Sequence, residues 1–355
     1  MKRVTLDKIA SVTLRLDLDP HAVLGEEIPA EEGTVIAARV LNAKRSYNTL
    51  EDVHGRMVVV HPGDVIAGAL GSRDALYGYS GEVPSSVKVG DTLQMLNVGG
   101  VIGSGAVAAP GIGEPFQLEV LGSVLEFPYL ATRVGVPADV KRAALTPTLG
   151  SDPLPPVVTL VGTCMDAGKT TAAAALINSL TNAKLKVAAG KLTGVSLRRD
   201  VLAMEDCGAS PVAVFTDFGV VTTTEDNAVR AGHAMLAHLA EARPDVIVLE
   251  MGDGLLGTYG VHSLLADRIV KDSLKVVVLC AQDPVGAWGG QQILKERYGL
   301  DVDIASGRVS DTPVGVRFCR DRMNVEAWNA LTDEENLGRA VLQKLKGKTS
   351  LLEVT

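Results

Sequence analysis

Residues 157–171 read VVTLVGTCMDAGKTT, and this stretch decides the fold. Val157 to Val161 form an unbroken apolar run of strand length. The chain then breaks into a glycine-containing loop and opens a helix at Gly168-Lys169-Thr170-Thr171. Each part has a use in phosphate chemistry. Loop amides and a helix N-terminus direct N–H groups at an anion. A lysine here reaches terminal phosphates, and a following threonine hydroxyl can ligate magnesium. The strict pattern is G-x-x-x-x-G-K-[ST]. Here Thr163 stands where its first glycine would fall, and Gly162 lies one residue earlier, so the loop is one residue long. An ordinary strand–helix turn can carry GKT by chance, but the strand–loop–helix context is the one the motif requires. The expected cofactor-contacting residues are Gly162, Thr163, Cys164, Asp166, Ala167, Gly168, Lys169, Thr170 and Thr171, with Gln282 added from a later strand end.

Outward from this loop, the second half alternates strands and helices. Candidate strands are 157–161, 185–189, 211–215, 245–250, 275–280 and 313–318. Their near-continuous Val, Ile and Leu content marks strands covered on both faces, as in a parallel sheet. Helices are expected after the loop, after a Thr224 cap with Glu225 and Asp226 in the first turn, over 289–299 and over 324–346. The stretch TPTLGSDPLPP (146–156) has four prolines in eleven residues and reads as a linker. It separates an expected β-rich domain, residues 1–150, from a P-loop domain, residues 151–355. In the first domain Val12, Leu14, Leu16 and Leu18 alternate with polar residues as in a half-buried strand. Further short strands are expected within 34–42, 56–68, 86–105 and 116–127. The fold class is therefore α/β: a doubly wound parallel-sheet P-loop domain preceded by a smaller β-rich barrel or sandwich. Residues 69–84 contain Arg73, Asp74, Tyr77, Tyr79 and Ser80 and read as either a substrate-contacting loop or a surface connection. His54 and His61 lack a clear third ligand, so no metal site is expected there.

Composition narrows the function classes. The chain has 355 residues, 46% hydrophobic and 21% charged, with a net charge of −8 and a pI near 5.4. That balance argues against nucleic acid or an anionic membrane as main partner, and 4% aromatic residues argue against base-stacking platforms. Cysteines 164, 207, 280 and 319 form no CxxC pair and suit a reducing, cytoplasmic setting. No apolar run approaches a membrane span, and MKRVTLDKIA lacks the core of a signal peptide.

The expected strand ends supply a polar constellation. Gly190-Lys191-Leu192-Thr193-Gly194 follows the second strand, with Arg198, Arg199 and Asp200 beyond it. Glu250 ends the fourth, followed by Gly252-Asp253-Gly254. Gln282-Asp283-Pro284 follows the fifth. In a doubly wound sheet these ends gather beside the loop. Magnesium takes one or two carboxylates plus phosphate oxygens and waters. A carboxylate at the end of a buried strand is costly unless paired or bound to a cation. Glu250 is therefore the leading metal ligand of the chain, with Asp200 and Asp253 as further candidates. Lys191 is a second cation, suited to charge on a transferring phosphoryl group. Arg198 and Arg199 could hold an anionic substrate or lie in solvent.

The loop GTCMDAGKTT resembles that of dethiobiotin synthetases, which also place five residues between the first glycine and GK[ST]. GKLTGVSLRRDVLAM and VIVLEMGDG resemble that family's lysine-bearing strand end and its glutamate-bearing element, with Met251 and Asp253 replacing Gly and Ala. The resemblance implies membership of the SIMIBI class of P-loop proteins. It implies Thr170, Asp200 and Glu250 as magnesium ligands, Lys169 and Lys191 as catalytic phosphate-binding lysines, and a homodimer. No lysine lies in 163–167, unlike the ParA/MinD branch. Ala281-Gln282-Asp283-Pro284 is not an N/T-K-x-D motif, which favours ATP over GTP. Residues 249–284 also resemble a P-loop family of unknown function that includes D-glutamate N-acetyltransferases. The leading expectation is an ATP- and Mg2+-dependent ligase or kinase that activates a small carboxylate- or amine-bearing substrate. The rivals are an acetyl-CoA-dependent N-acyltransferase acting on an amino acid and a nucleotide-dependent switch or metallochaperone.

Overall fold

The computed structural model describes residues 2–129, 131–132 and 134–348. It divides into two compact units. One comprises Met1–Leu145 with Val195–Arg199 and Thr216–Thr222. The other comprises Thr146–Gly194, Asp200–Phe215 and Thr223–Thr355. Two short segments from the second half of the chain thus belong to the first unit. Residues 144–156, the proline-rich stretch included, carry no helix or strand. Among the described residues no helix is long and apolar enough to cross a membrane.

The first unit is built from β1 (Lys2–Thr5), β2 (Lys8–Ile9), β3 (His21–Gly25), β4 (Val35–Val40), β5 (Thr49–Glu51), β6 (Met57–Val59), β7 (Val65–Leu70), β8 (Tyr79–Glu82), β9 (Thr92–Met95), β10 (Val101–Ala108), β11 (Gln117–Tyr129) and β12 (Val134–Pro137). The main sheet runs β1-β3-β11-β4-β7-β10-β8. Because β9 pairs with both β10 and β11, the strands β11, β4, β7, β10 and β9 close a ring. Closure leaves those five strands without free edges. Pairing in the ring is antiparallel except between β7 and β10. Its interior is packed with Ile36, Ala38, Ile66, Ile102, Phe116 and Leu118, all buried.

The alternation at 12–18 is not a strand. Ser11–Leu16 winds as a 3-10 helix that ends at Asp17, whose φ of 47° is left-handed. Hydroxyl groups explain the outcome. Thr13 Oγ1 donates to the carbonyl of Ala10, a local bond that competes with a ladder, and Ser11 Oγ donates to the side chain of Glu51, 40 residues along the chain. The fully buried Glu51 carboxylate also accepts from the amides of Arg198 (2.8 Å) and Arg199 (2.6 Å). Within 69–84, Tyr79–Glu82 joins the sheet as β8, and Arg73 donates to the carbonyls of Leu96 and Tyr77.

The second unit contains β13 (Val157–Gly162), α1 (Lys169–Asn182), β14 (Val187–Lys191), α2 (Arg199–Asp206), β15 (Val212–Val214), α3 (Ala228–Glu241), β16 (Val246–Glu250), α4 (Val261–Ala266), α5 (Arg268–Ser273), β17 (Leu274–Cys280), α6 (Pro284–Tyr298), β18 (Ile304–Ser306), α7 (Pro313–Met323), β19 (Glu326–Ala327) and α8 (Glu334–Lys348). All seven strands are parallel, in the order β15-β14-β16-β13-β17-β18-β19. From β13 the chain moves to one side through β14 and β15. It returns at β16 and continues on the other side through β17. The carboxyl end of β13 lies at this reversal, where open α/β sheets bind ligands. Every residue of β13 and β16 is buried, as strands covered on both faces require.

Three expectations are corrected here. Residues 313–318 are helix, because Pro313 at the first helical position presets φ and needs no donor. The strand position is taken by the short segments β18 and β19. The last helix begins at Glu334, not 324, since Glu326 and Ala327 extend the sheet. The helix after Thr224 starts at Ala228 behind Asn227, whose side-chain oxygen accepts from the Thr224 amide.

Asp267 caps α5 by accepting from the amide of Val270 and also receives His233 Nε2 at 2.8 Å. Burial pushes its carboxyl up, but the His233 bond and the backbone amides outweigh this and hold it below the ordinary carboxylate range. A depressed folded-state value stabilises above the unfolded pKa and loses that effect as pH falls through the folded one. Asp267→Asn should therefore lower the melting temperature at pH 7, and the gap to the parent protein should close on acidification below about pH 4. A gap that is unchanged by pH would remove the carboxylate from this role.

Candidate phosphate-binding site

The loop between β13 and α1 is anchored at both ends. The Thr163 amide donates to the carbonyl of Cys280 at 3.0 Å, which ties the loop start to β17. Gly168, with φ 93°, precedes the helix, and the bond from Ala172 N to Gly168 O opens the helical ladder. The first amides of a helix have no acceptor within it, and the helix dipole adds positive character there. A terminus of this kind can bind an anion. Asp166 adopts a left-handed φ of 58°, uncommon outside glycine. Gln282 Nε2 donates to its carbonyl at 3.0 Å, so Gln282 braces the loop. On the far wall, Gly307 has φ 81°, and a Cβ there would lie 2.0 Å from the carbonyl of Ala167. Only glycine lets the backbone after β18 approach the loop this closely.

The extra residue of the loop has a structural use. Gly162 closes β13, and a Cβ on it would stand 2.6 Å from Lys169 Nζ and 2.8 Å from its Cδ. The lysine stem thus lies across a bare glycine. Gly162→Ala should displace Lys169, weaken phosphate binding by about tenfold and leave the melting temperature within a few degrees of the parent. Unchanged phosphate affinity would contradict the packing account.

Lys169 is only 5% exposed. It donates to the carbonyls of Cys164 (2.9 Å) and Asp253 (2.6 Å), which joins the loop to the turn after β16. Burial pulls its ammonium below the ordinary lysine value, and Glu250 pulls the other way. Glu250 is 2% exposed. Its register places it opposite Leu160 on β13 and Lys191 on β14. Oε1 accepts from Thr170 Oγ1 at 3.1 Å, while Oε2 is buried with no hydrogen-bond partner among the described residues. Burial pushes this carboxyl above the ordinary range. Lys191 and Lys169 oppose that rise, and Asp200 adds to it. Lys191 and Asp200 form a largely buried ion pair. Beneath Lys169, burial pushes the Cys280 thiol up to about 12, so it stays neutral.

These residues fit a magnesium ion. The cation takes hard oxygen donors, and here they are the Thr170 hydroxyl and the Glu250 carboxylate, with Asp200 in the same electrostatic cluster. A buried carboxylate oxygen without a partner is the kind of atom a cation satisfies. Thr170, Glu250, Lys169, Lys191 and Asp200 are brought together. Thr171 is exposed in the first turn of α1, and Ala167 is buried behind the loop. Cys164 contributes its carbonyl to Lys169. Asp253 likewise contributes a backbone carbonyl, from a left-handed φ of 66°. Arg198 and Arg199 belong to the first unit, with their amides on Glu51.

Two hydroxyls support the site: Thr193, which lies in the polar stretch after the second strand, and Thr223, which the sequence does not single out. Thr193 Oγ1 donates to the carbonyl of Gly252 at 2.9 Å. Thr223 Oγ1 accepts from Gly194 N at 2.8 Å and donates to the carbonyl of Tyr259 at 2.9 Å. Together they tie the turns after β14 and β16. The signal at Thr223 is faint because Thr223 lies 29 residues from Gly194 and 36 from Tyr259.

No protein-family model matches this chain, and no curated protein matches it in sequence. Among solved structures it is similar to the signal recognition particle receptor FtsY from Elizabethkingia anophelis, at 15% identity and a TM-score of 0.39. That match covers 56% of this chain and 66% of that one, a little under two thirds of its length. It is also similar to the cell division protein FtsY from Thermotoga maritima, at 17% identity and TM-score 0.37, over 56% of this chain and 71% of that one. A DUF1611 family protein from Anabaena variabilis matches at 15% identity and TM-score 0.39, over 58% and 64% of the two chains.

Proposed function

We propose that this chain binds ATP with Mg2+ and transfers the γ-phosphoryl group to a small carboxylate- or amine-bearing molecule, as a ligase or small-molecule kinase does. The carrying observation is Glu250: a buried carboxylate with one oxygen on Thr170 and the other without a partner, in the combined field of Lys169 and Lys191. Loop amides and Lys169 hold the phosphates, and Thr170, Glu250 and Asp200 hold the cation. Lys191 stabilises charge on the transferring group. Bound magnesium neutralises charge on the phosphate oxygens. The motif-level resemblance of GTCMDAGKTT, GKLTGVSLRRDVLAM and VIVLEMGDG to dethiobiotin synthetases, read from the sequence, favours the same assignment. ATP over GTP is supported at the end of β17, where Asp283 sits in Ala-Gln-Asp-Pro and spends its carboxylate on capping α6. The reading carries with it a cytoplasmic homodimer.

The test is a thermal-shift panel with ATP, ADP, GTP and acetyl-CoA, each with Mg2+ or with EDTA. A ligand at about a hundred times its Kd stabilises by about 2.7 kcal/mol. A magnesium-dependent ATP shift is expected, followed by ADP release that depends on an added small carboxylate or amine. A shift with acetyl-CoA alone would replace this reading with N-acyl transfer. Slow hydrolysis unaffected by small molecules would replace it with a nucleotide switch.

A further inference from the structure

Glu51 is fully buried and takes no part in the phosphate chemistry, yet three donors converge on it. Ser11 Oγ donates to Oε2, the amide of Arg198 donates to the same oxygen at 2.8 Å, and the amide of Arg199 donates to Oε1 at 2.6 Å. The two amides lie 147 and 148 residues further along the chain. Arg199 opens α2, and the first amides of a helix have no acceptor within it. Ser196, the nearest local hydroxyl, is engaged elsewhere: its Oγ accepts from Thr216 Oγ1 at 2.9 Å. The rest of the segment is held as closely. Asn97 Nδ2 donates to the carbonyl of Ser196 at 2.8 Å, and a Cβ on Gly99 would lie 2.2 Å from that oxygen. The arrangement recurs at Thr216–Thr222, where Glu32 Oε1 accepts from the amides of Val221 and Thr222, both at 3.1 Å. In each case the next residue serves the site: Asp200, paired with Lys191, after Arg199, and Thr223, bonded to Gly194, after Thr222.

We infer that Glu51 is a positioning residue for the phosphate site: by holding the amides of Arg198 and Arg199 it fixes the chain one peptide bond before Asp200 and so sets Asp200 against Lys191. This role rests on the proposed function, which assigns Asp200 to the cation and Lys191 to the transferring group. Burying a carboxylate is costly, and a neutral Ser or Asn caps a helix without that cost. What the carboxylate adds is a second acceptor oxygen, so that it grips two consecutive amides through charge-assisted bonds. Such a grip fixes a position as well as satisfying two donors. Functional side chains need this, because a constellation works only when held to within about 0.5 Å.

Glu51→Gln in the full chain tests the assignment. The new NH2 must face one of the two amides, which leaves that amide without an acceptor. In ligand-free protein, acetylation of Lys191 by acetic anhydride, read by mass spectrometry, reports whether Asp200 still holds the ammonium. Asp200→Asn sets the upper limit. Glu51→Gln should raise Lys191 labelling about fivefold, and Ile102→Val, a core change in the same unit, should lower the melting temperature without moving it. In the variant, Mg-ATP affinity should fall about tenfold while ATP in EDTA stays within about twofold of the parent. If Glu51→Gln does not fold, Glu51→Asp, which keeps the charge but withdraws it by one methylene, should raise labelling in the same direction. Unchanged Lys191 labelling in the variant that folds, an equal rise in Ile102→Val, or equal loss of ATP with and without magnesium would each overturn the assignment. A parent chain that binds ATP without any magnesium dependence sinks the proposed activity instead, and the labelling then decides the role of Glu51 by itself.

Discussion

Lys169→Ala should abolish the magnesium-dependent ATP shift while leaving the fold intact. The lysine is buried at the first position of α1, and its ammonium donates to the carbonyls of Cys164 in the loop and Asp253 in the turn after β16. Hydrogen bonds from a charged group contribute about 1.5–3 kcal/mol each. Losing the phosphate contacts should therefore weaken ATP by roughly a hundredfold or more. Without ligand the effects oppose one another. The variant loses two bonds to carbonyls, yet it no longer desolvates an ammonium. The net change should stay near 1 kcal/mol, a shift of about 2–4 °C or less for a chain of this size. Melting curves with and without Mg-ATP measure both quantities. A variant that keeps the full ATP shift would dismiss the loop as the phosphate site.

Glu250→Gln should do the reverse in the absence of metal: raise stability and remove the response to magnesium. The substitution keeps shape and the bond with Thr170 but deletes a charge that burial opposes. Because burial raises this carboxyl in the folded state, the folded chain binds more protons than the unfolded one between the two pKa values. Stability is then greatest below the unfolded value, near 4.3, and falls as pH rises through the folded one. At pH 8 in EDTA the variant should exceed the parent by about 1–2 kcal/mol, and the difference should shrink toward pH 4. With Mg-ATP the order should invert, since the partnerless Oε2 that would meet the cation has been replaced. Loss of function alongside a gain in stability is the pattern expected of a strained functional group. A variant destabilised at pH 8 in EDTA would show Glu250 to be held by its lysines as an ordinary structural ion pair.

Much of the second unit was legible because its signals are local. Five apolar runs, 157–161, 185–189, 211–215, 245–250 and 275–280, correspond to strands, since a strand buried on both faces must be apolar along its whole length. The loop was legible because glycine, lysine and threonine at fixed offsets answer a backbone geometry and a charge. Run 313–318 misled because valines at alternate positions suit a strand, while Pro313 favours a helical start. The alternation at 12–18 misled in the same way, since Ser11 and Thr13 found acceptors outside any ladder.

By itself, then, the sequence determined the P-loop, the alternating strands behind it and the charged residues at their ends, because period, spacing and residue type are one-dimensional quantities. Tertiary structure alone decided the rest. It placed Glu250 opposite Lys191 and left one carboxylate oxygen without a partner. It closed five strands of the first unit into a ring through β9. It gave Val195–Arg199 and Thr216–Thr222 to that unit and set Glu51 on the amides of Arg198 and Arg199. Each of these depends on residues tens of positions apart meeting in space, and no local propensity records such a meeting.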